Sequence, residues 1–279
     1  SLESIATAAA KIESGLADLV IAGGFESSST QPFRMWNPNH PDYQEGKCYT
    51  VAKFIPELQG EQVMLEGAEK TALTENVTKA EMDPWVLLSH KRAAQAAKEG
   101  ILSDIQLSIE GSRKDEGIRP SMSQRLLDRL PYILPGGKVI TAANACLMHD
   151  GAAFVVLCSE KYRKAHKLSP QAAFRFGTSI GSDPFMSPKT AVLAIRKLFK
   201  QTGLSIDEID SLEVNEAFAV IDVLLEREFP GIRDRLNPLG GALAYGHPYG
   251  ASGAIILLHL LKNLQVNKGR FGICGVAAA

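Results

Sequence analysis

Five glycines and two prolines surround one histidine in the stretch Asn237-Pro-Leu-Gly-Gly-Ala-Leu-Ala-Tyr-Gly-His247-Pro-Tyr-Gly-Ala-Ser-Gly253. A lone histidine is more often a packed residue than a reactive one. Here glycines that permit close backbone approach, and a proline that pins the chain directly after the imidazole, converge on one side chain. A held imidazole can take and return a proton near neutral pH, so His247 is the candidate general acid–base. The apolar run behind it predicts a buried helix over Ala251–Leu264, whose N-terminus stands beside the histidine. A phosphate-cradling reading of Gly240-Gly241 is weak, because no lysine follows and no G-x-G-x-x-G opens a strand–helix pair. The four cysteines, Cys48, Cys146, Cys158 and Cys274, fall in no C-x-x-C spacing and read as reduced thiols rather than a disulfide framework.

Three segments carry a family resemblance. The pattern G-G-A-x-A-x-G-H-P-x-G-A-S-G around His247 resembles the active-site histidine loop of the thiolases. Asp210-Ser-Leu-Glu-Val-Asn215-Glu-Ala-Phe-Ala219 resembles their strand-to-helix segment N-E-A-F-A. Gly137-Lys-Val-Ile-Thr-Ala-Ala-Asn144-Ala-Cys-Leu-Met-His-Asp150-Gly-Ala-Ala resembles the thiolase stretch G-x-V-T-A-x-N-A-S-x-x-N-D-G-A. Ala22-Gly-Gly-Phe-Glu-Ser27 and Asp115-Glu-Gly-Ile-Arg-Pro120 are shorter matches in the same order, and together the five span nearly the whole chain.

The resemblance implies a coenzyme A-dependent acyltransferase that condenses acyl-CoA or cleaves 3-oxoacyl-CoA through an acyl-cysteine. It implies no permanently bound cofactor and no metal; the coenzyme A thioester is the substrate. By resemblance His247 stands beside the nucleophile, and Asn215 holds a water that polarises the substrate carbonyl. Asn at such a corner also serves as a helix cap, which is its purely structural reading. Phe218 divides between core packing and lining the pantetheine slot, while Ala142 and Cys146 match positions that approach coenzyme A. Cys146 stands where the family has serine, and His149 where it has asparagine. The family's nucleophilic cysteine falls a few residues upstream of Ser1, so the chain reads as a fragment starting just after it. Counting from Phe271-Gly272 places Ala277 at the second catalytic cysteine and Ala279 at an oxyanion-hole glycine; Cys274 then reads as an ordinary strand thiol. That register leaves open an alternative of altered or lost chemistry, either acyl-CoA hydrolysis or acyl-CoA binding alone. Relatives of this type are homodimers or homotetramers.

The elements that must position these residues alternate. A helical period over 2–14 stops at Gly15, and Leu19–Ala22 continues as a strand. Asp83-Pro84 predicts a helix start, with Gly100 at its end. Trp85, Leu88, Arg92 and Ala96 form a mixed packing face on that helix. Val139–Ala143 reads as a strand, and Gly151–Cys158 as a strand buried on both faces. A helix over 160–168, strand 172–180, helix 188–201, strand 212–214, helix 216–229 and strand 271–276 complete the pattern. The fold class is α/β, with the layered α/β/α/β/α thiolase architecture implied by resemblance. The two similar halves are 1–168 and 169–279, and a loop domain over about 27–137, rich in Ser, Thr, Pro and aromatic residues as far as Pro56, is inserted to lie over the core. With 45% apolar and 22% charged residues and a net charge of −1, the composition is that of an ordinary globular protein without a basic field for nucleic acid. No apolar run reaches the roughly 18 residues of a membrane span, and the expected setting is the cytoplasm, in acyl or lipid metabolism.

Overall fold

The computed structural model describes residues 1–49 and 63–277. Ala279, and the Ser/Thr/Pro-rich stretch from 50 to 62 that includes Pro56, lie outside the described residues. Helix α1 (Leu2–Glu13) leads into strand β1 (Leu19–Glu26). Helices α2 (Val63–Thr74), α3 (Lys79–Glu99) and α4 (Gln124–Leu127) precede strand β2 (Gly151–Cys158) and helix α5 (Glu160–Ala165). The second half contributes α6 (Thr190–Thr202), β3 (Ser211–Val214), α7 (Val220–Glu228), α8 (Ala242–Tyr245), α9 (Tyr249–Asn267) and β4 (Gly272–Gly275).

Helix α9 organises the packing. It is apolar around much of its circumference, as a helix enclosed on several sides must be, and among the described residues it lies against α1 and the strands of both pairs, β1–β2 and β3–β4. Ile5, Ala8, Ala22, Ala153 and Ala254 form the apolar seam among α1, α9 and the β1–β2 pair. Gly253 permits the close approach of α1, since a Cβ there would meet the Leu2 amide nitrogen at 2.4 Å. Strands β3 and β4 pair in parallel, with Glu213 opposite Cys274 and Val214 opposite Gly275, and α6 packs on β4 and α7.

Several local expectations change. Strand β2 pairs antiparallel with β1 from Leu19↔Cys158 to Glu26↔Gly151, and it is buried on one face only. Ala153, Val155 and Leu157 face the helices, while Phe154 and Val156 are exposed alongside Ile21 and Phe25. A continuous apolar run therefore did not mean two covered faces. Helix α3 starts one turn before Asp83, because Thr78 and Glu81 form a reciprocal capping box. Asp83 is buried inside the helix, 2.6 Å from Lys79 Nζ, and Gly100 closes the helix in the left-handed conformation as expected. Residues 139–143 turn instead of forming a strand: the Asn144 side chain accepts from the Thr141 amide at 2.8 Å and donates to the Val139 carbonyl at 2.8 Å. Residues 172–180 join no ladder among the described residues. The helix expected from Glu216 begins only at Val220, and α5 ends at Ala165. The helices of the expected insertion do more than cover the core. Ala68, Ala72, Met82, Trp85 and Val86 belong to the same buried cluster as Val214, Phe218 and Ile221.

Candidate active site

Three segments distant in sequence meet through backbone hydrogen bonds. The Cys146 amide donates to Ala217 O at 2.9 Å, Ala219 donates to Asn144 O at 2.9 Å, and the His247 amide donates to Leu147 O at 2.7 Å. Ala145 bridges Phe218, and Met148 bridges His247. The strand β3 end, the 144–149 turn and the histidine loop are thus one constellation. The two shorter motifs also touch it. Glu26 Oε2 accepts from the Gly250 amide at 3.1 Å, and Gly117 lies so close to Ala244 O that a Cβ would reach it at 2.5 Å.

His247 sits between α8 and α9, half-buried, and its imidazole is held at both nitrogens. Nδ1 is 2.6 Å from Ser252 Oγ, and Nε2 is 3.3 Å from Asn215 Nδ2. Ser252 Oγ donates to Pro248 O at 3.0 Å, so its oxygen is left to accept, which assigns the proton to Nδ1. Nε2 then carries the free lone pair, toward which the Asn215 amide donates. Burial pushes the imidazole pKa down from 6.5 to about 4, against a smaller upward pull from the Glu26 carboxylate. At pH 7 the ring is neutral and ready to accept a proton at Nε2. That lowering was invisible in the sequence, from which His247 carried an ordinary value. Gly246 is the residue that permits the loop: at φ 86° and ψ 179° it occupies a region open essentially to glycine, and a Cβ would lie 2.3 Å from His149 Cδ2. His149 is therefore packed beneath the loop.

Asn215 follows the last residue of β3, is 1% exposed, and donates its backbone N–H to Gly275 O at 2.9 Å. It lies ahead of a turn, five residues before α7, so the capping explanation for it is withdrawn. Phe218 is 6% exposed and belongs to the main core cluster. Ala142 is exposed at the tip of the Asn144 turn. Cys146 is half-buried beside the site, and burial pushes its thiol pKa up to about 12, which keeps it protonated. Cys274 faces Glu213 within the parallel pair, where burial and that carboxyl group raise its pKa well above the usual thiol value. It is a strand thiol, as expected. Ala277 is buried in the main core cluster. Sequence reasoning missed Ser252 as the partner of the histidine; its five-residue spacing from His247 across a helix start was the available signal.

The chain matches the family model of the thiolase N-terminal domain over residues 1–161 and that of the thiolase C-terminal domain over residues 168–279. The chain belongs to the thiolase family. Beta-ketoadipyl-CoA thiolase of Escherichia coli is 33% identical, with 98% of this chain aligned to 73% of that protein. Steroid 3-ketoacyl-CoA thiolase FadA6 of Mycobacterium tuberculosis is also 33% identical, over 98% of this chain and 68% of that one. The structure superposes on human mitochondrial 3-ketoacyl-CoA thiolase in complex with CoA with a TM-score of 0.89 at 30% identity, covering 99% of this chain and 71% of that one. The acetyl-CoA acetyltransferase of Bacillus anthracis gives 0.88 at 28% identity, with 99% of this chain and 73% of that one covered. This thiolase accordingly has the family's α/β fold and is an enzyme of the coenzyme A-dependent acyltransferase type, condensing acyl-CoA or cleaving 3-oxoacyl-CoA. Nothing among these relatives supports the alternative of lost chemistry.

Proposed function

We propose that His247 and Asn215 form the acid–base and oxyanion half of this thiolase's site, and that the thiolate nucleophile is contributed from ahead of Ser1. The observation that carries the reading is the imidazole held at both ends, by Ser252 at 2.6 Å and by Asn215 at 3.3 Å. Neutral Nε2 takes the thiol proton. Once protonated it becomes a donor and, with the Asn215 amide, faces the oxygen of the acyl thioester as negative charge develops there. Ser1 supports the placement of the nucleophile: its Oγ accepts from the Ala254 amide at 3.0 Å, one turn along α9 from the histidine loop. A cysteine just upstream enters at the positive end of the twelve-residue α1, where the helix dipole favours thiolate. The protonated state of Cys146 and Cys274 agrees with a nucleophile elsewhere.

Cys146 and exposed Ala142 flank the approach for coenzyme A, with Phe218 as the packed wall behind. The halves divide at 168/169, with the loop domain over about 27–137. Among the described residues no helix is long and apolar enough to cross a membrane, and we place the enzyme in cytoplasmic acyl-CoA metabolism as a homodimer or homotetramer. The test is His247→Ala in the enzyme carrying its nucleophile. Release of coenzyme A from acyl-CoA should fall at least about 10²-fold, and near-normal turnover with circular dichroism unchanged would refute the assignment.

A further inference from the structure

We propose that Ser89 and Glu216 are positioning residues that set the spacing between Asn215 and His247, a role that rests on the reading of those two residues given above. Ser89 lies on the buried face of α3 and is 2% exposed. Its hydroxyl is 2.6 Å from Glu216 Oε2 and 3.1 Å from the Gly241 amide nitrogen. An amide nitrogen can only donate, so the hydroxyl accepts from Gly241 and donates to Glu216. Glu216 is the peptide neighbour of Asn215, and Gly241 precedes α8, the short helix that runs into Gly246-His247. One hydroxyl on a third element thereby bridges the two segments that carry the site.

The junction has no slack. A Cβ on Gly241 would lie 2.5 Å from Glu216 Oε2. The Asn237 side chain and the Leu243 backbone also favour the charged form of the Glu216 carboxyl group, against the larger upward push of its burial. Asn237 in turn clamps Val214, accepting from its amide at 2.8 Å and donating to its carbonyl at 2.9 Å. The end of β3 and the start of the histidine loop are therefore tied to each other and to α3 around one carboxyl group that is 2% exposed. Burying such a group is costly, and in some proteins a buried polar group of this kind specifies one arrangement. Here the arrangement specified is the 3.3 Å separation of His247 Nε2 and Asn215 Nδ2, a geometry in which small displacements cost rate steeply.

The experiment is a double-mutant cycle in the enzyme carrying its nucleophile, with kcat and KM for acyl-CoA measured for Ser89→Ala, Asn215→Ala and the pair. Ser89→Ala should lower kcat about tenfold or more, the effect of a buried hydrogen bond worth roughly 1.4 kcal/mol, with KM within about twofold. In the Asn215→Ala background the same substitution should cost little further, because the spacing it protects no longer matters. Glu216→Gln, which disturbs the other end of the bridge, should show the same non-additivity and keeps the test decisive if Ser89→Ala does not fold. An unchanged kcat in both variants, or the same loss in both backgrounds, would overturn the proposal and leave Ser89 as a fold clamp. Full activity of Asn215→Ala alone would instead overturn the site reading beneath it.

Discussion

Replacing Ser252 by alanine isolates how this fold prepares an imidazole. Ser252 is 3% exposed, its hydroxyl is 2.6 Å from His247 Nδ1, and no other acceptor for that nitrogen occurs among the described residues. The substitution removes one oxygen atom from the first turns of a helix and leaves Nδ1–H unpaired in a half-buried site. An intramolecular hydrogen bond is worth about 1 kcal/mol net, and a stranded buried donor up to about 3 kcal/mol. At 1.4 kcal/mol per factor of ten, the rate should fall roughly 5- to 140-fold. The fall belongs in kcat, because Ser252 makes its bond to the histidine and the α9 backbone. Nitrogen-resolved NMR of His247 provides the direct assay: the proton sits on Nδ1 in the wild type and distributes over both nitrogens in the variant. Ser252→Thr keeps the hydroxyl and should restore both signals. A Ser252→Ala protein with the proton still on Nδ1 and an unchanged kcat would refute the reasoning.

The chain Ser1–Ala279 by itself should release no coenzyme A from acetoacetyl-CoA above buffer; release would place the nucleophile within the chain, with Cys146 and Cys274 the first to examine. Gly246→Ala should destabilise the fold by roughly 1–3 kcal/mol from backbone strain alone and displace His247; urea midpoints equal to wild type would show that the loop tolerates a side chain. His259, 7% exposed, is held by burial at a pKa of about 4 against an ordinary 6.5. The unfolded chain therefore takes up this proton first as pH falls through that window, and stability is lost on acidification, not gained. From pH 7.5 to 5 the wild type should lose about 2 kcal/mol more than His259→Gln. Comparing urea titrations of the two proteins cancels the buried carboxyl groups Glu213 and Asp222, whose raised pKa values act in the opposite sense, and an equal loss in both would remove His259 as the cause.

Backbone chemistry was legible in the sequence wherever a local rule had no competitor. Gly15 and Gly100 end helices, the 2–14 and 251–264 periods are helices, and Gly246-His247-Pro248 is a constrained loop. These follow from φ preferences and from 3.6-residue spacing, both carried by neighbours in the chain. Where two local signals competed, the structure decided: the Thr78–Glu81 box placed the start of α3 ahead of Asp83-Pro84, and Asn144 bent a stretch whose valine and isoleucine pointed to a strand. The arrangement that does chemistry was tertiary throughout. Asn215 and His247 are separated by helices α7 and α8 and the turns around them, yet stand 3.3 Å apart because β3 and the loop are both fastened to their neighbours. The pKa of about 4 at His247 depends on what encloses the ring. Burial and distance are properties of packing between remote segments, so residue types could name the groups available for catalysis, while only the folded chain set their separation and their charge.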